Sequence, residues 1–202
     1  MQTKEECVLT LVSKVVDLQN DRILAYKQFE SSFKSFKANP NDKIEILKYQ
    51  RVIETTTQEF QEISANVRGV QQQLKDLGQD KFSTMIDNLQ NLERDKLQTT
   101  IAIQKIEQSC EEEKKKLECN HDEKTCQHTH HSDEEELGGA KLLMLQNDLK
   151  KFKQHHAELI EGINEILEEF KYDIEDLRTI VQEQKEMKVD DNVQSDSGGI
   201  YM

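Results

Sequence analysis

A seven-residue apolar repeat constrains this chain more than any other feature. Ile46, Tyr49, Ile53, Thr56, Phe60, Ile63, Val67, Val70, Leu74 and Leu77 follow one another at alternating steps of three and four. Those steps keep one narrow stripe of a helix turned toward a neighbour, whereas a half-buried strand would alternate at every second residue. Similar stripes recur from Val8 to Phe36, from Phe82 to Cys110 and from Leu142 to Ile180. Four amphipathic helices, each needing a partner for its stripe, define an all-α chain.

The breaks between stripes set the topology. Thr3 with Glu6 forms a capping box at the start of the first helix. Asn39-Pro40-Asn41-Asp42 ends it, because Pro40 disfavours helical geometry at Asn39, and Asn41 or Asp42 can cap the next segment. Gly78 suits the left-handed turn that closes the second helix, with Asp80 placed to cap the third. The expected helices span about 3–38, 42–77 and 80–117, each roughly 50 Å long at 1.5 Å per residue. Together they make a three-helix antiparallel core over residues 1–118.

Residues 119–138 have no apolar period and read as an acidic Cys/His-rich loop, with Ser132 and Glu135 as a second candidate capping box. A fourth long helix follows over 139–186, and the polar residues 187–202 read as a disordered tail. Short links force antiparallel neighbours, so the expected fold is an elongated antiparallel four-helix bundle built from coiled-coil-like hairpins. The same repeats would also serve a homo-oligomer in which identical chains pair.

Only one Pro and seven Gly occur in 202 residues, which leaves little punctuation for a many-stranded fold. The formal net charge is −13, and the acid is concentrated late. Residues 1–106 carry 15 basic and 15 acidic side chains, 107–136 carry 4 and 11, and 137–202 carry 8 and 14. With no basic stripe, direct nucleic-acid binding is not expected, and anionic membrane surfaces are disfavoured for the same reason. The charged start of the chain lacks a secretory pattern, so the expectation is a soluble intracellular protein of the nucleus or cytoplasm. Cys7, Cys110, Cys119 and Cys126 then read as thiols.

Few residues have the look of chemistry. Cys119, His121, Cys126, His128, His130 and His131 supply enough ligand types for a zinc ion. Their spacing within one loop does not match a structural zinc motif, so the tract reads first as a solvated loop and no cofactor is expected, with zinc as the alternative. Glu118-x-x-His121 is one half of a di-iron signature whose second half is missing. His155 and His156 could act as a base with Glu158 or Asp148, but no nucleophile accompanies them at a recognisable spacing. Arg22 and Lys96 interrupt apolar stripes and read as solvated bundle ends or register-setting polar positions, with binding of an acidic partner group as the lesser alternative. The charge run from Glu111 to Lys116 pairs residues three and four apart on an exposed helix end. No phosphate loop, dinucleotide fingerprint or catalytic carboxylate pair is present, so no catalytic residue is assigned.

The pattern Leu18-Gln19, Arg22, Ala25-Tyr26 and Phe29-Glu30 is followed by Tyr49, Val52, Thr56 and Phe60. Then come Leu89-Gln90, Leu92-Glu93, Lys96-Leu97 and Thr99. Together these residues resemble the "required for excision 1-B" family of small eukaryotic helical proteins. The resemblance covers about residues 8–108, with a fainter continuation through Ile163, Ile166-Leu167, Phe170 and Asp173. It implies a connection to excision repair of damaged DNA and supplies no active site. The Cys/His loop departs from the family pattern, in which the third and fourth helices are joined by less material.

A repair-linked chain without a basic patch must reach DNA through other proteins. The expected function is therefore a non-catalytic helical adaptor or scaffold that engages protein partners through helix faces, with Phe29, Phe33 and Phe36 as candidate contacts. Alternatives are a structural coiled-coil subunit of a cytoskeletal or tethering complex, or a zinc-responsive binding protein using the Cys/His loop.

Overall fold

A computed structural model describes residues 2–117 and 132–196, with side chains at 2–117 and 138–187. The described residues form four helices: α1 (Lys4–Ala38), α2 (Lys43–Asp76), α3 (Asp80–Leu117) and α4 (Ser132–Asp196). Thr3 accepts from the Glu6 amide while Glu6 accepts from the Thr3 amide, closing the reciprocal cap of α1. Asp42, rather than Asn41, caps α2 by accepting from the Ile44 amide at 2.8 Å. At the far end of α2, Gly78 takes φ 70°, and the amides of Gly78 and Gln79 donate to the carbonyls of Lys75 and Leu74. A side chain would be strained at that φ, so glycine fits this hairpin where others do not. Asp80 is the first residue of α3 instead of preceding it. There its carboxylate favours the positive end of the helix dipole.

The fourth helix exceeds the expected 139–186 at both ends. Ser132 to Gly138, assigned to the loop from sequence, are helical, and so are Met187 to Asp196, assigned to the disordered tail. No proline lies anywhere in this span and no glycine between 187 and 196. Extending an existing helix adds a hydrogen bond per residue without a new nucleation cost, so a polar sequence can continue it. The loop's Cys/His tract, 119–131, lies outside the described residues.

The helices pack in a ring in chain order. α3 and α4 run antiparallel in a constant register. Along them Phe82 stacks on Phe170 with centroids 6.2 Å apart, Leu92 covers Gly162, Thr100 meets His156 at 3.1 Å and Glu113 pairs with Lys141 at 2.6 Å. A β-carbon on Gly162 would lie 3.3 Å from Leu92, so glycine lets these two helices approach closely. α1 and α2 pair in the same way through Tyr26 against Phe60 and Phe36 against Tyr49. Lys185 of α4 reaches Glu6 of α1 at 3.1 Å and helps close the ring.

The densest core lies beside the Gly78 hairpin. Val8, Val12 and Val15 of α1, Val67, Val70 and Leu74 of α2, Ile86 and Leu89 of α3 and Phe170 of α4 are all at most 1% exposed. Burying a Val, Leu or Phe side chain contributes on the order of 1.5–3 kcal/mol, so this cluster dominates the packing energy. α1 buries more than its predicted stripe, because Val12, Gln19, Tyr26 and Phe33 face inward as well. A helix with neighbours on two sides needs a wider inward face than a two-stranded seam supplies. On α4, Phe152 and Ile180 of the expected stripe are exposed, while Ile174 and Val181 are buried.

Candidate groove between two helices

From the Gly78 turn outward, α2 and α3 are tied by side chains. Gln71 donates to the Ser83 carbonyl at 3.1 Å, and Gln90 donates to the Ser64 carbonyl at 3.3 Å. The next tie among the described residues lies far along, where Tyr49 donates to Gln104 at 2.8 Å. The intervening stretch, Tyr49 to Ser64 on α2 and Gln90 to Gln104 on α3, is about 21 Å of helix. A groove of about 730 Å³ lies there, lined by α2 and α3 with α1 beneath. Its α1 side is Tyr26, Phe29 and Phe33, each 6% exposed. Phe60 and Leu97 line its walls, and Ile53 and Ile101 stand on the rim at 38% and 39% exposure.

Charged side chains enter this apolar trough from its floor and edges. Arg22 is 3% exposed, and its Nη2 donates to Ser64 Oγ at 3.1 Å and to Gln90 Oε1 at 3.0 Å. Its Nη1 and the hydroxyl of Thr56 are buried with no hydrogen-bond partner among the described residues. Burial pushes the Arg22 pKa down, and the nearby Glu93 carboxylate opposes that shift. A guanidinium remains charged at neutral pH regardless. Leaving a buried charged donor unpaired costs more than leaving a neutral one, which makes Nη1 an anion-seeking position.

One step behind Arg22 is a compact ionic cluster. Lys96 pairs with Glu93 at 3.3 Å and sits 3.9 Å over the Tyr26 ring, whose hydroxyl donates to the Glu93 carbonyl at 3.4 Å. Burial pushes the Lys96 pKa down, against the pull of Glu93. It pushes the Tyr26 phenol far above its ordinary value, with Glu93 adding to the effect. The readings of Arg22 and Lys96 as solvated bundle ends are corrected by these contacts: both sit inside the bundle, where each touches more than one helix. Their pairing geometry suits the register-setting reading.

Phe29 and Phe33, expected as partner contacts, line the groove, while Phe36 stacks on Tyr49 at 4.9 Å beyond its end. The two candidate bases are separated. His155 faces solvent beside Glu158 at 3.8 Å, whereas His156 points to Thr100. Thr100 gives its one hydroxyl proton to the Lys96 carbonyl at 2.8 Å, so Nε2–H of His156 donates to Thr100. Burial, then the positive charge of Lys96, hold the His156 pKa low, so the ring is neutral at pH 7. Asp148 is occupied by Lys151 at 3.5 Å. Cys119, His121, Cys126, His128, His130 and His131 lie outside the described residues. Within those residues no group of three or more metal-ligating side chains converges.

Sequence reasoning missed Gln90, Glu93 and Gln104 as inward groups. They lie on α3 with Leu97 at steps of three, four and seven, a second stripe running beside the apolar one. Its polar composition hid it from a search for hydrophobic periodicity.

The architecture is that of a four-helix bundle with an open interhelical trough between α2 and α3. The model of the family described as DNA repair REX1-B matches residues 10–108, a segment within the first three helices. The matched segment contains all of the groove's lining. The chain is also similar to the heterochromatin silencing protein rss1 of Schizosaccharomyces pombe, at 27% identity over 95 residues. That alignment covers 47% of this chain and 67% of the yeast protein. No solved structure matches. Among the described residues, no helix is long and apolar enough to cross a membrane.

Proposed function

We propose that this chain is a non-catalytic adaptor of DNA repair that captures a helical segment of a protein partner in the groove between α2 and α3. The observation that carries this reading is the groove itself, an aromatic-floored trough about four helical turns long. An amphipathic helix laid there would cover Ile53 and Ile101 and complete the α2–α3 side of the ring. The family supports a DNA-related role, and a silencing protein among its relatives points toward chromatin as the setting. A net charge of −13 favours reaching DNA through a partner rather than by direct contact.

Cells lacking this chain should be sensitised to ultraviolet light and rescued by the wild-type protein. Ile53→Glu with Ile101→Glu, both on exposed rim positions, should fold normally by circular dichroism yet fail to rescue. Full rescue by that double variant would remove the groove from the function. Absence of any sensitivity would remove the repair role.

A further inference from the structure

We infer that the groove's occupant is an acidic amphipathic helix, with a carboxylate seated on Arg22 and a second polar residue about two turns away at Thr56. This rests on the helix-in-groove reading and adds the chemistry of the ligand. Arg22 is 3% exposed, its two side-chain hydrogen bonds leave from Nη2, and Nη1 has no partner among the described residues. A buried guanidinium nitrogen held in place by Ser64 and Gln90 is already oriented, so a carboxylate could join it without ordering a flexible side chain. Thr56 offers the second unpartnered polar atom. It lies eight residues before Ser64 on α2, about 12 Å along the helix. The same distance on a helix lying alongside corresponds to seven or eight residues.

Charge at the rim agrees. The lining carries Arg22, Arg68, Arg94 and Lys105 against Glu93 alone, so the trough is locally positive in an otherwise acidic protein. Glu93 is already paired with Lys96, and neither Arg68 nor Lys105 has an ion-pair partner among the described residues. Such a field steers an anionic segment inward and repels nothing that the groove would need. A single-stranded nucleic acid would also meet positive charge here. The aromatic rings of Tyr26, Phe29 and Phe33 are each 6% exposed, however, which leaves little ring face for bases to stack on.

The test uses the full chain and a displayed library of 16-residue helices, with Leu, Ile or Phe fixed on one face and all other positions random. Selected clones should be enriched in Asp or Glu, with a Ser, Thr, Asn or Gln seven or eight positions away. Their affinity should fall about 30-fold in Arg22→Gln. In the exposed-rim variant Arg68→Glu with Arg94→Glu, which keeps the test valid should Arg22→Gln unfold, the fall should be about threefold to tenfold. Clones that are blocked by Ile101→Glu but show no acidic enrichment would overturn this inference while leaving the helix-in-groove reading intact. Clones indifferent to Ile101→Glu, or no clones at all, would overturn both. Tight binding of a fluorescein-labelled 20-residue oligothymidine, lost in the rim variant, would make nucleic acid the occupant and overturn the acidic helix.

Discussion

The two halves of this bundle are built from the same repeat and behave differently. Beside the Gly78 hairpin, the inward positions of α2 are Val67, Val70 and Leu74, all at most 1% exposed. Nearer Pro40, the same stripe continues through Tyr49 and Ile53, which are only partly covered. In the first half, branched aliphatic side chains from four helices interlock. In the second, α1 supplies large aromatic rings, and α3 supplies Gln90, Glu93 and Gln104. Rings and hydrogen-bonded polar groups hold the helices at a distance that aliphatic packing would close. A continuous heptad sets which face of α2 looks inward, while the side chains on it decide whether neighbouring faces meet.

The largest effect belongs to the hairpin half: Leu74→Ala should cost about 2–5 kcal/mol in denaturant unfolding, since Leu74 is 0% exposed and its cavity has little freedom to collapse. Next is the ionic cluster. Glu93→Gln leaves Lys96, 11% exposed, without its carboxylate and should cost about 3 kcal/mol. Adding Lys96→Leu to that variant should recover much of the loss, whereas an additive double variant would mean the two groups do not act as a pair.

A smaller effect should appear in native-state hydrogen exchange. Amides of α2 near Tyr49 and Ile53 should exchange through openings of lower free energy than those near Val67 and Val70. Uniform protection along α2 would erase the distinction between the halves.

The smallest effect concerns pH. His156 has a folded pKa held below its ordinary value by burial and by Lys96. The unfolded chain therefore takes up the proton first as pH falls. The contribution of neutral His156 is complete above about pH 6.5 and is lost as pH drops from there through the lower folded value. His156→Gln should flatten that part of the stability profile, and an imidazole titration followed by NMR should show the low folded pKa directly.

Much of this was legible in the residues alone. The Thr3–Glu6 cap, the Pro40 break, the Gly78 turn and the four helices follow from local rules that act within a few residues. The extent of α4 was underestimated, because a polar sequence continues a helix that packing has already started. Phe29 and Phe33 could be singled out as conspicuous, but not that a trough would run beside them. Arg22 and Lys96 stood out as interruptions, and their burial reversed the simplest reading of both.

The residues alone specify an all-α chain, the turns at Pro40 and Gly78, and most of the stripe that each of α2 and α3 turns inward. Capping, glycine geometry and apolar periodicity are properties of neighbouring residues, so no other part of the fold need be known. The assembled fold alone shows that α2 and α3 leave a groove, that Arg22 is buried with Nη1 unpartnered among the described residues, and that Glu93 and Lys96 meet beside Tyr26. Those outcomes depend on how side chains from three helices share one space. The spacing of residues along a single helix does not encode that volume.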